Sequence, residues 1–290
     1  MDSLTGCIVC HSNMDYLFEY QHYSYYKCND CDTVSTHPIP SKDVIENHYS
    51  KKFQGGNYSL IREYSTQYMR VYNGFCDLIE KKLARKGQNL NGKKVLDIGC
   101  FTGEFLQVID SKGGDVFGLE LQPDAVEIAN SKFPGRIFKA DVFSNDFPTI
   151  KYDIITMFGL IEHVVDPIRL LKQANELLNP GGLIVIQTPD SSSMIARIMG
   201  KFWFCYAPIE HIHIFSRKSI IHILSNMDNQ NIEIKQHWKI LPIAYVFNQF
   251  QNFGPEFEKM LKPLKFILNK LKIPLPFYGG EMIVTAFKQE

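Results

Sequence analysis

Four cysteines near the start of the chain have the spacing of a metal site. They form two Cys-x-x-Cys pairs, Cys7 with Cys10 and Cys28 with Cys31, on either side of an aromatic-rich stretch that is typical of hairpin strands. Two such pairs can surround one Zn²⁺ with four thiolates in a tetrahedron. Because four sulfur ligands complete the coordination shell, the metal would be structural. The spacing predicts a zinc ribbon over residues 1–40, and four buried, reduced cysteines are the alternative.

A second stretch, residues 95–103, has the residue types of a turn that binds a nucleotide-like ligand. Asp97 follows a short apolar run, Gly99 and Gly103 follow Asp97, and residues 104–110 then carry apolar side chains at helical spacing. Glycines let the backbone approach a ligand closely because no Cβ intervenes, and a helix N-terminus offers unpaired N–H groups. The pattern predicts a strand, a glycine turn and a helix, which form either a ligand-binding turn or an ordinary tight connection.

Alternating strands and helices follow this turn, which is typical of a parallel sheet covered on both faces. Strands are predicted at residues 115–120, 136–140, 152–157, 183–187, 232–240 and 281–287, the last of them antiparallel. We therefore expect an α/β fold with a seven-stranded, mostly parallel sheet and helices on both faces. A helical insertion is expected at residues 241–280, before the last strand. Residues 41–90 are expected to form a linker or lid and then an N-terminal helix.

Two segments resemble the Rossmann-like S-adenosylmethionine-dependent methyltransferases. Residues 95–103, with Asp97 before the turn and one glycine fewer than a dinucleotide site, resemble the first motif of that family. Residues 160–167, followed by a helix and by Asn-Pro-Gly-Gly at 179–182, resemble its small-molecule branch, which includes quinone and sugar methyltransferases. The resemblance covers about residues 91–190 and implies S-adenosylmethionine as the cofactor. Phe101 departs from the pattern, because the family usually has a third glycine there.

This resemblance implies a cofactor site at the carboxyl ends of the strands, where ligands of open parallel sheets bind. Glu120, at the end of the second strand, would bind the two ribose hydroxyls. Asp141 would meet the adenine amino group, with the backbone of Val142 beside the ring. The implied cofactor-binding residues are Asp97, Gly99, Cys100, Gly103, Glu120, Leu121, Asp141, Val142 and Phe158.

Glu210 and His211, with Phe215 and Ser216 after them, resemble a stretch of zinc-ribbon methyltransferases that act on deoxysugars. The resemblance implies that His211 is the general base of methyl transfer and that Glu210 assists it. Histidine suits this role because it titrates near neutrality. The alternative is a hydrogen-bonded corner that caps the next helix. For His163 a structural role is favoured, with substrate contact as the alternative.

The composition limits the classes of partner. Lys and Arg together number 31, as do Asp and Glu, so the formal net charge is zero, which argues against a general nucleic-acid or anionic-membrane surface. The sequence shows no secretory signal and no apolar run long enough to span a bilayer. Seven cysteines, four of them in Cys-x-x-Cys pairs, favour a reducing, cytoplasmic compartment. A basic amphipathic pattern at residues 256–272 predicts a helix over the active-site mouth, with peripheral membrane contact as the alternative.

We predict a small-molecule methyltransferase built from a zinc ribbon (1–40), a linker or lid with a helix (41–90) and a methyltransferase domain (91–290). The expected acceptor is a sugar, either nucleotide-linked or a glycan precursor, with O-methylation favoured over C- or N-methylation. One alternative is a zinc-ribbon RNA methyltransferase, against which the zero net charge argues. The other is a non-catalytic, cofactor-binding subunit that docks a partner through its ribbon. The sequence leaves the acceptor atom and the oligomeric state open.

Overall fold

The computed structural model describes residues 3–4, 6–52, 65–144, 146–242 and 274–290. The described residues form two sheets, of which the smaller has five strands in the order β1-β2-β3-β4-β10. These strands are β1 (Ser3–Leu4), β2 (Met14–Tyr20), β3 (Tyr23–Cys28), β4 (Val34–His37) and β10 (His213–Ile214). Four of them come from the cysteine-rich N-terminal segment, whereas β10 comes from much later in the chain.

The larger sheet has seven strands in the order β11-β12-β9-β8-β5-β6-β7. Five neighbouring strands, β9, β8, β5, β6 and β7, pair in parallel. β12 pairs antiparallel with both of its neighbours, β11 and β9. This arrangement confirms the expected α/β fold with a seven-stranded, mostly parallel sheet. The strands are β5 (Lys94–Ile98), β6 (Asp115–Glu120), β7 (Ile137–Lys139), β8 (Tyr152–Phe158), β9 (Leu178–Pro189), β11 (Asn229–Pro242) and β12 (Pro274–Lys288).

Hydrophobic clusters cover both faces of the larger sheet. Neighbouring residues of one strand point to opposite faces, so Leu96 joins the cluster that contains Leu171, whereas Val95 joins the cluster that contains Ile79 and Ile109. The helices are α1 (Lys42–Lys52), α2 (Ser65–Ala84), α3 (Glu104–Ser111), α4 (Pro123–Lys132), α5 (Pro167–Leu177), α6 (Met194–Met199) and α7 (Arg217–Ser225). Among these described helices, none combines the length and apolar character needed to cross a bilayer.

The structure differs from the expected helical insertion at its two ends. Residues 241–242 extend β11, and residues 274–280 form the first part of β12. There β12 pairs only with β11, since its pairing with β9 begins at Glu281. A strand with one partner tolerates Pro276, because the missing N–H can face away from the ladder. The remainder of the insertion, with the basic pattern at 256–272, lies outside the described residues.

Gly280 occupies a position in β12 where no side chain fits. Its φ is +84°, and a Cβ there would lie 2.8 Å from Ser193 Oγ and 2.9 Å from Trp203 Cζ2, and would overlap Ile195. The preceding residue, Gly279, accepts a hydrogen bond from Trp203 Nε1 through its carbonyl at 2.8 Å. This contact packs α6 and the following turn closely against the sheet.

Replacing Gly280 with alanine should therefore lower the free energy of unfolding by about 2–5 kcal/mol, the sum of left-handed strain and overpacking. Gly135 is the matched control, because its φ is +73° but nothing lies within 4 Å of its hypothetical Cβ. Gly135→Ala should cost only the strain, about 1–2 kcal/mol. Denaturant unfolding of both variants measures the difference, and equal costs would contradict the packing argument.

Candidate active site

The turn after β5 is tied to β6 and shaped by residues in the left-handed conformation. Gly99, Phe101 and Gly103 have φ values of 80°, 48° and 81°, which glycine adopts freely and phenylalanine adopts at a cost. The N–H groups of Gly99 and Cys100 both donate to the carbonyl of Leu119, at 2.8 and 3.1 Å. Phe101 thus takes the conformation that a glycine would hold without strain, and the turn is retained.

Glu120, the last residue of β6, hydrogen-bonds to this turn. Its Oε2 accepts from the N–H of Phe101 at 3.0 Å. Its Oε1 accepts from the N–H groups of Leu121 and Gln122, at 2.7 and 2.8 Å. The side chain of Leu121 is 63% exposed and adds an apolar surface beside the carboxylate. Acceptor oxygens and apolar contact therefore occur together, which suits a sugar joined to a planar base.

Asp97 is a buried carboxyl one strand away from Glu120. It is 4% exposed, and its Oδ1 accepts a hydrogen bond from Thr156 Oγ1 at 2.6 Å. Burial raises the pKa of Asp97 to about 7, the hydrogen bond from Thr156 opposes the rise, and the charge of Glu120 adds to it. At neutral pH both protonation states of Asp97 are therefore populated, and a nearby cation would favour the ionised form.

Asp141, Val142 and Phe158 lie at the same edge of the sheet. Asp141 follows β7, and its Oδ1 accepts from the N–H of Phe143 at 2.9 Å. Val142 is buried, and the ring of Phe158 stacks on Phe75 of α2 with 4.1 Å between centroids. All nine predicted cofactor-binding residues thus lie at the carboxyl ends of β5, β6, β7 and β8 or in the loops that follow these strands.

Two histidines meet on the neighbouring loops. The rings of His163 and His211 are edge to face, with 4.8 Å between centroids. Nδ1 of His211 lies 2.6 Å from the carbonyl oxygen of Cys205, and Nδ1 of His163 lies 2.7 Å from that of Glu210. A carbonyl only accepts, so Nδ1 carries the proton in both rings, and Nε2 is the basic nitrogen of the neutral imidazole. Sequence favours a structural role for His163, but the structure sets its ring against His211.

A buried carboxyl completes this group. Glu162 is 2% exposed, its Oε2 accepts from Thr188 Oγ1 at 2.9 Å, and its carbonyl accepts from the N–H of Ile212 at 2.8 Å. Burial raises its pKa to about 8. One carboxylate oxygen of Glu162 and one ring nitrogen each of His163 and His211 lie within 4.8 Å of one another. The group combines a titratable acid with two imidazoles, which suits proton transfer.

Glu210 connects this group to α1. Its Oε1 lies 3.0 Å from Nε2 of His48, while its backbone carbonyl holds His163. Sequence reasoning did not single out His48, Thr156 or Glu162. Glu162 had a usable signal, because it precedes His163 directly in the segment that carries the resemblance. His48 and Thr156 had none, because their partners are distant in the chain.

The four N-terminal cysteines form the second cluster that could hold a metal. All four Sγ atoms lie within 4.8 Å of one another, with Cys7 to Cys31 at 3.5 Å and Cys10 to Cys28 at 3.4 Å. A tetrahedron with zinc–sulfur bonds of about 2.3 Å has sulfur–sulfur edges of about 3.8 Å. The N–H of Val9 donates to the Sγ of Cys7 at 3.4 Å, which helps to orient this sulfur and stabilises its thiolate form. The donor set and its dimensions fit Zn²⁺.

Comparison with known proteins adds sequence relatives to this geometry. Residues 67–234 match the family model described as a methyltransferase domain. The ubiquinone biosynthesis O-methyltransferase of Leptothrix cholodnii is 30% identical over 107 residues, which cover 34% of this chain and 45% of that protein. The enzyme of the same name from Coxiella burnetii is 30% identical over 104 residues, covering 34% and 44%. The chain therefore spans less than half the length of either of these two relatives.

Solved structures share the fold at low sequence identity. The plantazolicin methyltransferase BpumL in complex with SAH aligns with a TM-score of 0.52 and 17% identity, over 85% of this chain and 94% of that one. Magnesium protoporphyrin IX methyltransferase from Synechocystis, with bound SAM, aligns with a TM-score of 0.52 and 13% identity, over 86% and 99%. At these identities the likeness concerns the fold alone.

The two buried carboxyls give a matched pair of predictions. Thr156→Val removes the hydrogen bond that opposes the raised pKa of Asp97, so this pKa should rise above about 7 by about one further pH unit, while Glu162 stays unchanged. Thr188→Val should likewise raise the pKa of Glu162, because it removes the hydrogen bond that lowers it, and should leave the pKa of Asp97 unchanged. Carbon-13 NMR titration of the side-chain carboxyls measures both. Titration of Asp97 near pH 4 in the unsubstituted protein would contradict its buried state.

Proposed function

Since this chain belongs to the family of methyltransferase domains that matches its residues 67–234, we propose that it transfers a methyl group from S-adenosylmethionine to a small-molecule acceptor. The observation that carries the proposal is the carboxylate of Glu120, which is hydrogen-bonded to the glycine turn at the carboxyl edge of the sheet. When bound, S-adenosylmethionine supplies the methyl group and the positive sulfonium charge. The names of the two solved structures, one with SAH and one with SAM, support this choice of cofactor.

The residues at the carboxyl edge divide the work of binding. Glu120 has two carboxylate oxygens for the ribose hydroxyls, and Asp141 accepts from the adenine amino group, with Val142 and Leu121 as apolar contacts. Asp97 attracts the ammonium group, because a nearby cation favours the ionised form of a carboxyl whose pKa burial has raised to about 7. The fit depends on chemistry that these residues already have: oxygen acceptors beside exposed apolar surface.

His211 takes the proton of the acceptor at Nε2, because its Nδ1 donates to the carbonyl of Cys205. His163 lies beside it and stabilises the orientation of the ring by an edge-to-face contact. Glu210 acts through its carbonyl, which holds His163, and through its carboxylate, which pairs with His48. Its assistance to His211 therefore goes through His163.

Cys7, Cys10, Cys28 and Cys31 hold one structural Zn²⁺ in this proposal. The short sulfur–sulfur distances and the tetrahedral donor number support it. Three of the four cysteines are buried and Cys10 is half-buried, so the sulfur atoms are largely shielded from solvent. The thiolates also favour a reducing compartment, and we propose the cytoplasm.

The acceptor is a small molecule methylated on oxygen, as the name of the ubiquinone biosynthesis relatives suggests. The sugar acceptor expected from the sequence finds no support in the comparisons, and a phenolic acceptor becomes its rival. An RNA acceptor stays an alternative that zero net charge argues against. A non-catalytic subunit would bind the cofactor but turn over no acceptor.

Glu120→Gln should weaken the binding of S-adenosylmethionine by about 10- to 100-fold, since it removes charge-assisted acceptors for two hydroxyl groups. Isothermal titration calorimetry measures the effect. Glu127→Gln is the control, because Glu127 is an exposed carboxylate of α4. Equal affinity in the Glu120→Gln and control variants, or a folded wild-type protein that binds no cofactor, would refute the cofactor site.

His211→Ala should lower kcat by about 10²- to 10⁴-fold and leave the dissociation constant of S-adenosylmethionine unchanged, because it removes only the proton acceptor. Release of S-adenosylhomocysteine with a panel of phenols and nucleotide-linked sugars measures turnover. The control is His222→Ala, since His222 is exposed on α7. Near-normal kcat in a folded His211→Ala variant would defeat the assignment, and no turnover by the wild type would favour the non-catalytic subunit.

A further inference from the structure

The sheet of the cysteine-rich segment is completed by β10, a strand that begins two residues after His211. In β10, His213 pairs with Ser35 of β4 and Ile214 pairs with Val34. The N–H of Thr36 donates to the carbonyl of Ile212 at 2.9 Å. Ser35 Oγ also lies 2.9 Å from Nδ1 of His213. The backbone on the carboxyl side of His211 is therefore held by β4.

The backbone carbonyls of Cys31 and of Asp32, the next residue, accept hydrogen bonds from the loops that precede α7 and α6. Ser216 Oγ donates to the carbonyl of Cys31 at 2.6 Å, and Ser191 Oγ donates to the carbonyl of Asp32 at 2.9 Å. Ser216 also caps α7, since its Oγ accepts from the N–H of Ser219 at 3.0 Å. Four metal–sulfur bonds would fix the shape of this turn. The same turn presents the two carbonyls that accept hydrogen bonds from Ser216 and Ser191.

A cluster of three rings holds the other side of the histidine. Phe18 and Tyr25 of the small sheet contact Tyr206, with 4.9 Å between the centroids of Phe18 and Tyr206 and 5.1 Å between those of Tyr25 and Tyr206. Tyr206 follows Cys205, whose carbonyl accepts from Nδ1 of His211. The orientation and tautomer of the His211 ring thus depend on a residue that the small sheet packs in place.

We infer that the cysteine-rich segment positions the acid–base histidine, and that its metal is the part that keeps this segment in shape. The inference rests on the proposed role of His211. The small sheet contacts the chain on both sides of His211, through Tyr206 and through β10, and His48 of α1 contacts Glu210 between them. The glycine turn is tied instead to β6 through Leu119. We therefore expect loss of the metal to increase the mobility of residues 205–214 and to leave β5, β6 and the glycine turn between them unchanged.

Hydrogen exchange tests this without any turnover. We compare the full chain loaded with one equivalent of Zn²⁺ and the same protein after chelation. Amides of residues 205–214 should exchange about 10-fold faster or more without the metal, while those of residues 95–98 and 116–119 keep their protection. The dissociation constant of S-adenosylmethionine should change less than about 2-fold. Unchanged exchange at 205–214, or equal loss of protection in β5 and β6, would overturn the inference.

A second comparison addresses the positioning residue Ser35. Ser35→Ala removes the contact to His213, so kcat should fall about 3- to 10-fold with KM nearly constant, and Ser35→Thr, which keeps a hydroxyl, should restore kcat. Nitrogen-15 NMR of His211 should show a single Nδ1–H tautomer in the metal-loaded protein and a tautomer mixture after chelation. Ser24→Ala, in β3, is the control. An Ser35→Ala variant that matches the control in kcat and in the His211 spectrum would refute the role.

The two failures can be told apart. If exchange at residues 205–214 rises on chelation but His211→Ala keeps its kcat, the structural coupling stands and the proposed catalytic role of His211 is wrong. If His211→Ala has a reduced kcat but the exchange rate at residues 205–214 is the same with and without the metal, the catalytic role stands and the positioning role of the cysteine-rich segment is wrong.

Discussion

The parallel pairing of β5 with β6 on one side and with β8 on the other is the constraint on which the site depends. Parallel strands end at the same edge, so each loop that leaves a strand there comes next to the others. The glycine turn, Glu120 and Phe158 are far apart in the chain but share this edge for that reason alone. Antiparallel pairing would send alternate loops to opposite edges and separate the carboxylates. The two hydrophobic clusters stabilise the pairing from both faces.

Two buried carboxyls follow the same construction along this edge. Asp97 of β5 accepts from Thr156 of β8, and Glu162, just after β8, accepts from Thr188 of β9. In each case the neighbouring strand supplies a hydroxyl that partly replaces lost hydration, and burial still raises the pKa toward neutrality. Such acids change protonation state at little cost near pH 7. Asp97 lies beside the glycine turn, and Glu162 lies beside His163 and His211.

Local patterns were enough to predict the sheet and the glycine turn. Apolar runs between turn residues marked the strands, and the spacing of Asp97, Gly99 and Gly103 marked the turn, because both signals lie within a few neighbouring residues. The sequence predicts residues 274–280 as part of a helical insertion, whereas in the structure they form the first part of β12, because pairing with β11 outweighs the low strand preference of the prolines there. The contact of His163 with His211 and the pairing of His48 with Glu210 join distant segments, and no local period encodes them.

The two-residue strand β10 also sets an order of events when the chain folds. Ser35 and His213, which it brings together, are 178 positions apart. On the ribosome, β4 is complete long before its partner is made, and its outer edge meanwhile presents unpaired N–H and C=O groups. Closing so long a loop is entropically costly and slow, so docking of this edge belongs to the late steps of folding. The small sheet is therefore completed only by a strand that is synthesised much later, and until then the open edge of the nascent N-terminal segment can pair with other chains.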